Sequence, residues 1–285
     1  MAYVPPPDPF QSNYPRGPGG GMGYQRLPGV YFDAIGLAFK MIQANWGVYV
    51  VSTLLIFVVV GGLYMIPMFG VMTAIFAHPG AQVAPKMSWG MIGMIAVIGY
   101  IMYFCMLGLI SVGVKQVRGQ NIQLGDLFTP FGNFGPSALA ALFAALPTIL
   151  YNLCSQGLLM GMNPGNAGPF SPAATQYMIA SGVIGLFGIV FQALTVGPLL
   201  LAGTHTVMTG EDPVRSVADT AKKLGANWFV FALLAAISYV IACLGGLCCG
   251  VGLLLTFPIA TNVIALHYTY YYPQDPQPVA ARVEG

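Results

Sequence analysis

Residues 212–272 read DPVRSVADTAKKLGANWFVFALLAAISYVIACLGGLCCGVGLLLTFPIATNVIALHYTYYY. The stretch opens on a short amphipathic segment, passes the junction Ala226-Asn227-Trp228, runs through an apolar span, turns at glycines and cysteines, and returns in a second apolar span ending in tyrosines. Crossing a hydrocarbon core ~30 Å thick takes about 20 mostly apolar residues, so this is a membrane hairpin. Its opening recurs: Ala44-Asn45-Trp46 repeats the junction and Gly132-Asn133-Phe134 is a weaker copy, each ahead of a long apolar run. The expected fold is an all-α polytopic membrane helix bundle, with six transmembrane helices as three repeated hairpins and interfacial amphipathic helices.

Composition excludes a soluble domain. Only 6% of the 285 residues are charged and 56% are hydrophobic, where a soluble domain carries roughly 25% charged residues. The formal charge of +2, without a basic run, excludes nucleic acid as a partner. The spans are read at 46–69, 89–114, 136–160, 177–207, 228–246 and 249–271. The first and fourth exceed what a crossing needs, so tilt or an extension past Pro67 and Pro198 is expected. Around this transmembrane domain (31–272) lie a disordered Pro/Gly-rich tail (1–30) and a second tail (273–285). The first is either a plain tether or, through Pro6-x-x-Pro9, a contact for a protein partner.

The cations set the orientation. Arg16, Arg26, Lys40, Lys115, Arg118, Arg215, Lys222, Lys223 and Arg282 share one side with all eight acids, and only Lys86 lies opposite. The positive-inside rule then predicts a cell (inner) membrane protein, multi-pass, with both termini cytoplasmic. Trp46, Trp89, Trp228, Tyr268 and Tyr270 stand at span ends, where aromatic rings anchor to the boundary between headgroups and hydrocarbon.

Two interfacial helices follow from periodicity. Phe32, Ile35, Phe39, Ile42 and Trp46 share one face before span one. After span four, Asp212 caps a helix whose first turn holds Pro213. There Val214, Val217, Ala221, Leu224 and Trp228 form one face, and Arg215, Asp219, Lys222 and Lys223 point to water. Lys222 and Lys223 are thereby offered to anionic lipid headgroups. The middle copy has Pro130, Gly132 and Gly135 and leaves room for a turn at most.

Candidate site residues are few. Asn45, Asn133 and Asn227 admit two readings: amides that replace hydrogen bonds lost where helices join, or three amides around a cytoplasmic vestibule that meets an ion or a polar headgroup. His205 and His267, near the inner ends of spans four and six, either pack at the interface or join that vestibule; two histidines alone make a poor metal site. No metalloprotease, nucleophile-elbow or phosphate-loop motif is present, and no span interior carries a charge. No catalytic residue, metal or cofactor is expected. Of five cysteines, Cys105 and Cys154 fall inside spans, while Cys243, Cys248 and Cys249 flank the last outer turn. Small-residue packing suits them better than a strained bridge between neighbours.

The run 119–128 (GQNIQLGDLF), the Ala-Asn-Trp copies and the run 249–258 (CGVGLLLTFP) resemble a loose group of uncharacterised bacterial six-span integral membrane proteins. That group is similar to the membrane domain of glycerophosphodiester phosphodiesterases. The resemblance implies a fold over about residues 32–272 and lends no catalytic residue. Functionally the sequence reads as a non-enzymatic scaffold, or an accessory to transport or envelope maintenance. The alternative is a carrier or channel for a small or lipid-like solute, through proline-broken helices four and six.

Overall fold

A computed structural model describes residues 29–77, 89–161, 172–246 and 251–273. Residues 1–28 and 274–285 of the two tails, together with Lys86, Cys248 and Cys249, lie outside the described residues. The described chain forms α1 (Ala34–Ala44), α2 (Trp46–Ala77), α3 (Trp89–Val117), α4 (Thr129–Gly132), α5 (Phe134–Gly161), α6 (Pro172–Thr209), α7 (Pro213–Leu224), α8 (Trp228–Gly246) and α9 (Val251–Tyr271). Single 3-10 turns at Leu124–Phe128 and Gly225–Asn227 complete it.

Six apolar helical runs are long enough to cross a membrane, based on α2, α3, α5, α6, α8 and α9. Even α8, the shortest at 19 residues, reaches about 28 Å at 1.5 Å per residue. The 32 residues of α2 and the 38 of α6 run on through Pro67 and Pro198 as single helices. Their surplus length is thus extension and not a further crossing.

Chain neighbours pair as hairpins, α2 with α3, α5 with α6, and α8 with α9. The bundle is nonetheless centred on one helix, because α9 also packs against α1, α2, α3 and α6. Residues 257–272 of α9 and its end are all buried. Small residues permit that crowding. A Cβ at Gly113 of α3 would overlap the Asn262 amide oxygen and come within 2.8 Å of Ala265, so a larger residue would push α3 off α9. Not every small-residue pattern is used in this way. Ala141 and Ala145 are fully buried, whereas Gly61, Gly62 and Gly185 have open space where a side chain would go.

Every described charged residue falls in the segments that precede or connect the spanning helices at one end of the bundle, here termed the charged end, or, for Lys115, in the last turn of α3 beside them. Lys115 Nζ and Asp126 Oδ1 pair at 2.5 Å, and Asp126 Oδ2 accepts from the Gln123 amide at 2.7 Å. These bonds pin the short α3–α4 connection. Away from that end the flanks are apolar, with Met65, Ile66, Phe69 and Phe76 of α2 and Met178, Val183 and Phe187 of α6 exposed. Flanks with so many exposed apolar side chains suit lipid and not water.

Candidate functional site at the charged end

The three Asn junctions are real breaks, but two kinds of break. Asn45 (φ −136°, ψ 40°) and Asn133 (φ −125°, ψ 58°) each end one helix in a non-helical conformation before the next begins. Their carbonyls close the following turn, Asn45 O accepting from Val48 N at 3.1 Å and Asn133 O from Ser137 N at 3.0 Å. At both joints the backbone of the Asn itself thus closes the turn. At the third junction the reversal belongs to Gly225, whose φ of +47° favours glycine. Asn227 there continues into the helical Trp228.

The five candidate vestibule residues have different immediate surroundings. Asn45 is half-buried between α1 and α2, the Asn133 amide lies against Gly210, and Asn227 is exposed beside Tyr271. His205 and His267 turn to different sides of α9. His205 Nε2 lies 2.8 Å from Glu211 Oε2, its Nδ1 is 3.5 Å from the Tyr268 hydroxyl, and its ring stacks on Tyr272 at 4.1 Å. His267 accepts on Nε2 from the Tyr31 amide at 3.1 Å. That leaves Nδ1–H to donate to the Val263 carbonyl at 2.7 Å. With both nitrogens committed, His267 is a buried strut that ties the start of α1 to α9.

Around His205 the charged end is assembled from four elements. The Thr220 hydroxyl of α7 lies 2.8 Å from the Tyr272 hydroxyl, and Lys223 Nζ sits 3.5 Å above the Tyr272 ring. Arg118, just past α3, lies 5.6 Å from the Tyr268 ring and donates to the Tyr272 carbonyl at 3.4 Å. That carbonyl lies just beyond α9, at the end where a cation also meets the helix dipole favourably. Sequence reading missed Glu211 and Arg118 as partners. Glu211 lies only six residues beyond His205, a separation that α6's end and the turn at Gly210 convert into contact.

Several anchors are relocated. Tyr268 and Tyr270 have no exposed surface, which corrects their reading as boundary anchors: they point into the bundle because α9 is enclosed from residue 257 onward. Trp46 is 66% exposed and Trp89 is the first residue of α3. Trp228 is half-buried, and its indole N–H donates to the Leu194 carbonyl at 3.3 Å. Leu194 is four residues before Pro198, so this is the carbonyl that proline leaves without a helical donor. The exposed aromatic at this junction is instead Phe229.

The face of α7 is also corrected. Asp212 caps it as expected, Oδ1 accepting from Val214 N at 3.0 Å and Arg215 N at 3.1 Å. The buried stripe, however, is Pro213, Ser216, Thr220 and Leu224, and Val214 is exposed. Thr220 is drawn inward by its bond to Tyr272. Lys223 is engaged by Asp219 at 3.1 Å and by the Tyr272 ring, so Lys222 and Arg215 are the cations presented outward.

One further polar knot lies deeper. The Tyr49 hydroxyl is 2.6 Å from Gln116 Oε1 and 3.1 Å from Asn262 Oδ1, and Gln116 Nε2 donates to the Met41 carbonyl at 2.9 Å. It joins α1, α2, α3 and α9. Among the described residues no group of three metal-ligating side chains occurs. Comparisons with family models, curated proteins and solved structures give no match.

Proposed function

We propose that this chain is a non-enzymatic integral membrane protein of the cell membrane, a scaffold or an accessory to transport or envelope maintenance. In this reading both termini are cytoplasmic, the three hairpins are variants of one unit, and the resemblance to the six-span group reflects kinship. The observation that carries the proposal is where the polar side chains go. His205, His267, Tyr49, Gln116, Arg118, Lys223 and Thr220 hold α1 and α7 against α9 by bonds internal to the bundle. Such groups build a rigid platform whose outward cations, Lys222 and Arg215, meet anionic headgroups or a partner.

The carrier reading is weakened at α6, because the carbonyl that Pro198 frees is already taken by Trp228. Flux measurements on proteoliposomes test the proposal. Protein-dependent movement of ions, small solutes or fluorescent phospholipids equal to that of empty vesicles is expected. Flux above that level, abolished by Pro258→Ala, would replace the scaffold by a carrier.

A further inference from the structure

We infer that a groove between α5 and α6, in the half of the bilayer away from the charged end, retains one acyl chain of a glycerophospholipid. The inference goes beyond the proposed scaffold role. Leu150, Tyr151, Cys154 and Leu158 form one wall, and Val183 and Phe187 belong to the other, around a space of about 410 Å³.

Its chemistry is that of a hydrocarbon slot. The two hydroxyls that α5 contributes to the lining are satisfied within the protein: the Tyr151 hydroxyl donates to the Ile184 carbonyl at 3.0 Å and Ser155 Oγ to the Asn152 carbonyl at 3.1 Å. Apart from the weakly bonding Cys154 thiol, no donor or acceptor of the lining is left to hold water or a polar solute, and burial of apolar surface is the main term that can retain an occupant. Gly188 shapes the floor, since any Cβ there would overlap the Tyr151 ring. Phe187 and Phe191 stack at 6.3 Å beside it.

Dimensions choose the occupant. From Leu150 to Leu158 the slot runs about 12 Å along α5 at 1.5 Å per residue, close to half of a ~30 Å core, the depth of one leaflet. A helix of that length, ~10 Å across with its side chains, would need about 900 Å³. The space holds a single methylene chain and is too small to take in a whole helix. Apart from Leu158, the lining residues lie within the membrane-spanning runs of α5 and α6, so phospholipid tails are the molecules at hand.

The test uses full-length protein in phosphatidylcholine vesicles doped with phosphatidylcholine that carries a diazirine in mid-chain. After photolysis, adducts are mapped by peptide mass spectrometry. Labelling of the slot should exceed that of Met65, Ile66 and Phe69, exposed on α2 in the same half of the bilayer, by about fourfold, the ratio for one extra buried methylene. Val183→Trp or Leu158→Trp, each filling the slot from an exposed position, should bring it down to the α2 level while the protein elutes unchanged. Equal labelling of slot and α2, or enrichment that survives both fillings, overturns the proposal. So does a Cys154–Cys154 crosslink in membranes, which would put a second copy there.

Discussion

Trp228→Phe should destabilise the protein through one bond, and a second substitution should make that loss disappear. Pro198 has no amide hydrogen, so the Leu194 carbonyl four residues earlier depends on the Trp228 indole at 3.3 Å. Leaving a buried carbonyl unpaired costs ~1–3 kcal/mol, but interhelical bonds within membranes average only ~0.6 kcal/mol. The 3.3 Å separation also lies beyond the usual 2.7–3.2 Å range. We therefore expect ~0.6–1 kcal/mol for the bond, about three- to fivefold in the unfolding constant. In a Pro198→Ala background the new amide at 198 satisfies Leu194, and the bond-specific part of the Trp228→Phe loss should fall to near zero. The loss of ring area is common to both backgrounds and cancels in the double-mutant cycle. Equilibrium unfolding of the four proteins in mixed dodecylsulfate and maltoside micelles measures it. An equal cost of Trp228→Phe with and without Pro198 would refute the capping argument.

Other perturbations separate contacts that look alike in the sequence. Gly113→Ala forces a methyl into Asn262 and Ala265 and should cost ~1–3 kcal/mol; Gly61→Ala meets open space and should be neutral or gain up to ~1 kcal/mol, both read by the same unfolding assay. Thr220→Val removes the hydroxyl partner of Tyr272 and should cost ~1 kcal/mol, while Val214→Ser at an exposed position should stay within ~0.5 kcal/mol. The opposite order would restore the face read from periodicity. Tyr49→Phe strips both Gln116 and Asn262 of their shared donor. It should lower stability by ~1 kcal/mol and speed hydrogen exchange in α1, whose Met41 carbonyl is held through Gln116.

The long helices were legible because each needs only length and apolarity, which a sequence states directly. So was the α7 start, since a capping Asp and a first-turn Pro act through their immediate neighbours. What could not be read was which side of the interfacial helix α7 faces the bundle. Val214 and Thr220 illustrate the difficulty: at the membrane boundary an apolar residue can turn to the lipid side, whereas a hydroxyl gains a partner by turning inward, so the soluble-protein stripe rule does not decide the face. The tyrosines of α9 misled for a related reason. Clustered at a span end they match the composition of an interfacial belt, and only the packing of five other helices around α9 makes them core. The repeated Asn likewise marks helix breaks at 45 and 133 faithfully, while at the third copy Gly225 takes over the turn.

The proposed topology, six crossings with every charged connection on the cytoplasmic face except that of Lys86, is tested most directly by accessibility. In a chain with its five cysteines replaced by serine, Lys222→Cys and Lys86→Cys would each be exposed in intact cells to a membrane-impermeant maleimide. The account predicts prompt labelling of Lys86→Cys, and labelling of Lys222→Cys only after the membrane is permeabilised. Labelling of Lys222→Cys in intact cells would contradict it.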